Sequence, residues 1–354
     1  MIGVEMVSFF GKSDLGKNQS NNEDAFIAQS IWDDQVVLAA AIDGVGGYEG
    51  GEIAASIAEQ TIVEYLNNFP NGERADLIKQ AVVEANNAIN IKRVEDGKHP
   101  NMSCVMTAVL VDIKNGFLHM AHIGDTRLYQ YTDGKITKLS HDHSLVGYRE
   151  EIGELTEEEA MNHPQRNVIG RDAGSQYLDI NTDLVETASF PLQSDSTYIL
   201  CSDGLSDMLT SSMMVEILNS NSNTEEKVNA LIDKANEEGG KDNITVVLID
   251  YTGPTTIVQE PPFADKEETS SNAEQEEKED EMGNEQEDKI EDKQKIIKEI
   301  NQEEKQVEMP EEKTHPQQII NINLRRLEII LSIIAGILFI IMGILGYFLY
   351  LIVS

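Results

Sequence analysis

Five aspartates in this chain stand at the ends of apolar, β-like runs: Asp24 in NNEDAF, Asp43 in IDGVGG, Asp125 in IGDTRLY, Asp203 in CSDGLSD and Asp242 in GKDN. Turn chemistry accounts for a single aspartate in such a place. Five of them call for a fold that gathers strand ends, because a strand end is where a sheet protein holds side chains rigidly at its surface. Carboxylates gathered there cannot all ionise without a countercharge, since each raises the pKa of its neighbours. The simplest countercharge is a hard divalent cation, and aspartate oxygens with ordered waters suit Mg2+ or Mn2+.

The runs around these aspartates supply the elements. VVLAAAID, SCVMTAVLVDI, GFLHMAHIG, RLYQY, KITKL, TYILCSDG and NITVVLIDY read as strands, rich in Val, Ile, Thr and Tyr. Many are apolar at consecutive positions, which predicts cover on both faces. Asp133-Gly134, between RLYQY and KITKL, signals a tight hairpin. Two long helical patterns follow Asp43: GEIAASIAEQTIVEYLNN, with Ile53, Ile57, Ile62 and Leu66 as its apolar positions, and ADLIKQAVVEANNAINI. A later pair, SSMMVEILNSN and TEEKVNALIDKANEEGG, lies between Asp203 and Asp242, and Gly239-Gly240 stops the second. Hairpins with helix pairs, rather than strict βαβ alternation, favour an α+β layered fold. Gly46, Gly47, Gly50 and Gly51 let the chain turn sharply from strand to helix, and GVGG lacks the spacing of a nucleotide loop. Cys104 and Cys201 sit in apolar runs and read as reduced core residues.

Composition divides the chain. Residues 1–252 mix apolar periodicity, glycine turns and scattered charge, enough for one sizeable core. In residues 253–324 Glu, Gln, Lys and Asp dominate, which predicts a disordered acidic linker extended by its own repulsion. Residues 327–353 read as a transmembrane helix: Ile329 to Val353 carries no charged side chain. That stretch is about 37 Å long as a helix, enough to span a bilayer and too uniformly apolar for a core helix. Arg325 and Arg326 precede it, so the positive-inside rule places the rest of the chain in the cytosol, tail-anchored by a single pass. The opening MIGVEMVSFFGKSD has no basic start and no long apolar run, so no secretory leader is expected. A net charge of −36 argues against nucleic acid as a partner, and against electrostatic docking on anionic lipid.

Taken in order, NNEDAF, DGVGGYEGGE, GDTRLYQY, SDGLSD and KDNITVV resemble the successive motifs of the metal-dependent (type 2C) Ser/Thr protein phosphatases, with similar spacing from about Ser8 to Tyr251. The resemblance implies a four-layer α-β-β-α sandwich with metals at one end of the central sheets. It also implies hydrolysis of phosphoserine and phosphothreonine by a water activated between two Mg2+ or Mn2+ ions, without a covalent enzyme intermediate. Asp43 then bridges the ions, the Gly44 carbonyl adds an oxygen, and Asp203 and Asp242 complete one shell. Asp24 and Glu23 act through waters on the other ion, and Asp125 with Asp203 matches the place of a third, weaker ion in bacterial members. Catalysis rests above all on Asp43 and Asp203. The expected partner is a phosphoprotein, a Ser/Thr kinase or one of its targets.

The chain departs from the family pattern at two places. Many members carry an arginine that grips substrate phosphate where this chain has Gln19, an amide without charge or bidentate fork. Lys12, Lys17 or Arg166 are the alternative cations. Some eukaryotic members carry a histidine, a proposed general acid, where this chain has Val45, as bacterial members have an apolar residue. His143 titrates suitably but reads as a structural turn residue. Gly147 to Arg171 is either the flap of bacterial members, bringing Arg166 and Arg171 to a phosphopeptide, or a solvated surface segment. Arg127 reads as a structural ion-pair partner, and Asn243 as a residue that orients a loop or a metal-bound water. Two other functions fit: a catalytically silent phosphoprotein-binding adaptor of a membrane kinase, and a phosphatase for a small phosphoester or an anti-sigma antagonist.

Overall fold

The computed structural model describes residues 7–32, 36–46 and 50–256. The expected membrane helix, the linker from residue 257 onward and Gly47 lie outside the described residues. Among the described residues no helix is long and apolar enough to cross a membrane.

In chain order the elements are β1 (Val7–Asp14), β2 (Ala25–Ile31), β3 (Val36–Val45), α1 (Gly50–Asn68), α2 (Arg74–Asp96), β4 (Ser103–Asp112), β5 (Phe117–Ile123), β6 (Arg127–Thr132) and β7 (Lys135–Lys138). They continue with α3 (Leu145–Glu151), α4 (Glu157–Met161), β8 (Glu186–Pro191), β9 (Ser196–Cys201), α5 (Asp203–Ser206), α6 (Ser211–Leu218), α7 (Thr224–Glu237) and β10 (Ile244–Tyr251). The strands form two five-stranded antiparallel sheets, ordered β1-β10-β9-β6-β7 and β2-β3-β4-β5-β8.

The consecutive apolar residues of β3 explain how four layers arise. Side chains alternate across a strand. Val37, Ala39 and Ala41 therefore meet Leu200, Val247 and Ile249 of the other sheet, while Leu38, Ala40 and Ile42 meet α1 and α2. The opposite faces of β9 and β10, with Ile199, Cys201, Val246 and Leu248, are covered by Met214 of α6 and by Val228, Leu231 and Ile232 of α7. The result is the α-β-β-α sandwich. On α1 the fully covered face is Ala54, Ala55, Ala58, Ile62 and Leu66, whereas Ile53 and Ile57 are only partly buried. Small alanines let the helix approach β3 closely, so the contact stripe is rotated from the one that the large side chains mark.

Local chemistry sets the boundaries. Asp133 and Gly134 both take positive φ, as the two-residue hairpin between β6 and β7 requires. A left-handed Gly97 closes α2 by donating to Arg93 O. Asn223 and Glu226 form a capping box that starts α7, and Gly239 and Gly240 follow its end at positive φ. Both cysteines are free and buried, Cys104 beneath α1 and α2 and Cys201 beneath α7. Hydrogen bonding continues past β10: Thr256 N–H donates to Leu192 O, whose own N–H donates to Gly116 O in the β4–β5 turn.

Candidate metal centre

Strand register brings the five aspartates to one edge. Asp43 lies near the end of β3, Asp125 follows β5, and Asp203 follows β9; Asp24 and Asp242 precede β2 and β10. Antiparallel pairing sets Ala25 opposite Ile42, Asp43 opposite Val105, Met106 opposite Ile123, and Val246 opposite Cys201. The ends of β3, β5 and β9 and the beginnings of β2 and β10 therefore share one side of the sandwich. There they surround a cleft of about 710 Å³ whose wall includes Glu23, Asp43, Gly44, Asp125, Asp203 and Asp242.

Glycines permit the crowding. A Cβ on Gly44 would collide with the carbonyls of Gly51 and Glu23, so the strand end can lie against both loops only without a side chain. A Cβ on Gly204 would meet the Asn243 carbonyl, so the turn after Asp203 touches the loop of Asp242 directly. Asn243 ties that loop down: its Oδ1 accepts Glu23 N–H at 2.8 Å, and its Nδ2 donates to Leu15 O and Asn21 O at 2.9 and 3.0 Å. The loop-orienting role expected of Asn243 is the one it has here.

Charge is the unsolved quantity of these gathered carboxylates, of which Asp24 is buried without lining the cleft. Burial, followed by repulsion from its neighbours, raises Asp24 to about 7, Asp125 to about 8 and Asp203 to about 6. The same causes lift Asp43 well above the ordinary carboxylate range and raise Glu23. Asp24 Oδ2 and Asp203 Oδ1 are buried with no hydrogen-bond partner. Unpartnered buried carboxylate oxygens are costly, and a cation satisfies both the oxygens and the charge. The donor set is oxygen only, which suits a hard divalent ion. Among the described residues of the wall none is Lys, Arg or His.

The other candidates fall outside that cluster or serve it. Gln19 lines the cleft and donates from Nε2 to Asp242 Oδ1 at 2.8 Å, so its amide is engaged with a candidate ligand. Arg166 sits off this wall, in a small neighbouring cavity with Asp125 and Asp203, and pairs with Asp207. Lys12 donates to Asn229. Val45 lines the cleft and His143 does not. Arg127 is structural, as expected, binding Asp142 through Nε and Nη2 at 3.0 and 2.7 Å and Glu150 at 2.8 Å. The segment after β7 reaches the cleft, where Asn167 and Ile169 line the wall, and its Glu157 accepts from Ser211 N–H and Oγ–H at 2.8 Å each. Glu52 also lines the wall, unforeseen, although it stands within the DGVGGYEGGE motif.

Residues 11–239 match the protein phosphatase 2C family. The serine/threonine phosphatase stp of Listeria monocytogenes is 30% identical over 244 residues, spanning 68% of this chain and 94% of that protein. The chain belongs to the protein phosphatase 2C family. It is accordingly an enzyme, a metal-dependent protein phosphatase. A Streptococcus pyogenes protein described as a putative protein phosphatase 2C-type is 34% identical over 241 residues, covering 67% and 95%. Among solved structures, the Mycobacterium tuberculosis serine/threonine phosphatase PstP/Ppp is 30% identical with a TM-score of 0.61, covering 70% of this chain and 99% of that one. A PstP catalytic domain in complex with two manganese ions is 28% identical with a TM-score of 0.59 at 70% and 99% coverage. The expected sandwich is the fold of these solved relatives.

Proposed function

We propose that this type 2C phosphatase hydrolyses phosphoserine and phosphothreonine in proteins with two divalent cations, Mg2+ or Mn2+, held in the acidic cleft. One observation carries the reading: the described wall presents buried, partly unpartnered carboxylate oxygens and no cationic side chain. A phosphate dianion approaching that wall would meet only repulsion. Asp43 would serve both ions and the Gly44 carbonyl would add one more oxygen, with Asp203 and Asp242 on one ion and Asp24 and Glu23 on the other through waters. Asp125, beside Asp203, would serve a third and weaker position. Bound there, the cations supply Lewis acidity, which makes water nucleophilic near neutral pH and stabilises phosphoryl charge.

The chain's own contribution is arrangement. Asn243 holds the Glu23 and Asp242 loops together, and Gln19 orients Asp242 rather than offering a free amide to phosphate. Asn167 and Ile169 bring the flap to the cleft, where a phosphopeptide has to lie. The gathered set of carboxylates speaks against a catalytically silent adaptor. For location, residues 327–353 as a membrane span and 253–324 as its linker tether the catalytic domain to the cytosolic face, where phosphorylated membrane proteins such as a Ser/Thr kinase are the natural substrates.

The test is turnover of a phosphothreonine peptide by the full-length protein, titrated with Mn2+ and then with EDTA. Activity is expected to rise with Mn2+ and to vanish in EDTA. Full turnover in excess EDTA would overturn the metal reading.

A further inference from the structure

The SHDHSLV segment between β7 and α3 carries histidines that the cleft wall does not use. His143 is held at three points. Its N–H donates to Gly124 O at 2.7 Å, its Nδ1 accepts Gly124 N–H at 3.0 Å, and its carbonyl accepts Gly170 N–H at 2.7 Å. Gly124 immediately precedes Asp125, and Gly170 follows Ile169, which reaches the cleft wall. Ser144 and Ile169 form a β-bridge beside the same junction. Gly124 takes φ +111°, where an added Cβ would collide with Val105. Both polar groups of this glycine are therefore spoken for by one histidine.

His122, His143 and Glu186 each bring a ligand-type atom within 4.8 Å of the others, which raises the possibility of another metal site. Their hydrogen bonds argue against it. His122 Nε2 faces the His141 carbonyl at 3.0 Å and must carry the proton. Its Nδ1 then accepts from Thr107 Oγ1 at 2.8 Å. His143 Nδ1 accepts the Gly124 N–H, so its proton sits on Nε2, 3.8 Å from Glu186 Oε2. Glu186 is itself held by His141 Nδ1 at 2.7 Å. A cation would have to break the bonds that define the turn. Burial, then the neighbouring His122 and Arg171, lower His143 to about 3, so its Nδ1 stays an acceptor at neutral pH.

We propose that His143 is a positioning residue of this phosphatase: it sets Asp125 through Gly124 and fastens the flap stem at Gly170 to the same turn, so that flap and weak metal position shift together. This rests on reading Asp125 as a metal ligand. Two variants of similar size separate the acceptor from mere bulk. In His143→Asn the amide oxygen stands near the place of Nδ1, whereas in His143→Gln it reaches towards Nε2 and leaves Gly124 N–H unpartnered.

The experiment compares full-length wild type, both variants and Asp125→Ala by backbone hydrogen exchange in EDTA and by Mn2+ calorimetry. His143→Gln is expected to speed exchange about tenfold at 123–126 and 168–171 and to weaken the lowest-affinity Mn2+ step by a similar factor, the scale of one lost buried hydrogen bond. His143→Asn should restore both to within about threefold. Unchanged exchange at Gly124 in His143→Gln, acceleration across the core strands alike, or an asparagine variant as impaired as the glutamine one would each overturn the proposal. If exchange responds as expected while Asp125→Ala binds Mn2+ like wild type, the histidine clamp stands and the assignment of Asp125 as a ligand is what fails.

Discussion

Asp43 and Asp203 approach the cleft from opposite sheets, one at the end of β3 and the other just past β9. Each is therefore placed by a rigid element, and the loss of either charge cannot be made good by the other. Asp43→Asn or Asp203→Asn is expected to lower kcat on a phosphothreonine peptide at least about a hundredfold, the scale of losing one preorganised electrostatic group. Wild-type rates in both variants would show the centre to be elsewhere. A second expectation follows from the raised carboxyls. Asp24, Asp125 and Asp203 titrate higher folded, at about 7, 8 and 6, than the 3.8 of a free aspartate. In the metal-free protein they favour the native state while protonated, and that contribution fades as pH rises from about 4 through 8. The Tm in EDTA should fall between pH 5 and pH 8, and the increase caused by Mn2+ should be larger at pH 8. An increase of equal size at both pH values would contradict the reading.

Among the elements, what the sequence revealed follows burial. The central strands β3, β4, β9 and β10 are continuous apolar runs covered on both sides, and each stands out in the sequence. The strands absent from the sequence reading, β1, β2 and β8, are sheet edges, half-exposed, and broken by Gly11, Gln29 or Pro191. The four aspartates of the cleft wall, Asp43, Asp125, Asp203 and Asp242, were legible because Asp beside Gly or Asn at a strand end has its own local chemistry. Glu52, Asn167 and Ile169 were not, since only the packing of α1 and the flap brings them to the wall. The flap's docking is equally tertiary: Glu157 at the start of α4 accepts two bonds from Ser211 at the start of α6. Glu157→Ala should cost about 1 kcal/mol of stability, as lost helix-terminal bonds do, and raise KM for phosphopeptide more than it lowers kcat. Kinetics with a phosphopeptide and with a small aryl phosphate would check this, the latter being nearly unaffected.

For the whole molecule, the proposed acidic linker and anchor would set how the enzyme meets its substrates. Full-length protein is expected to resist carbonate extraction from membranes. Deletion of residues 325–354 should release it with unchanged turnover of a soluble peptide but slower dephosphorylation of a membrane-embedded kinase. A truncated protein that still sediments with membranes would disprove the anchor. The bonds from Thr256 to Leu192 and on to Gly116 fix where the chain departs: at the β4–β5 turn, the far end of the strands from the acidic cleft. A strand of this length separates the two ends by about 25 Å. Were the proposed anchor present, the enzyme would be held by its heel, at the end of the strands away from the cleft. A taut lead would aim the cleft into open solution, and only a slack one lets the domain turn over and bite back towards the bilayer. Shortening the stretch after Thr256 should then spare soluble substrates throughout, yet silence membrane-bound ones abruptly once the slack falls below the height of the domain itself.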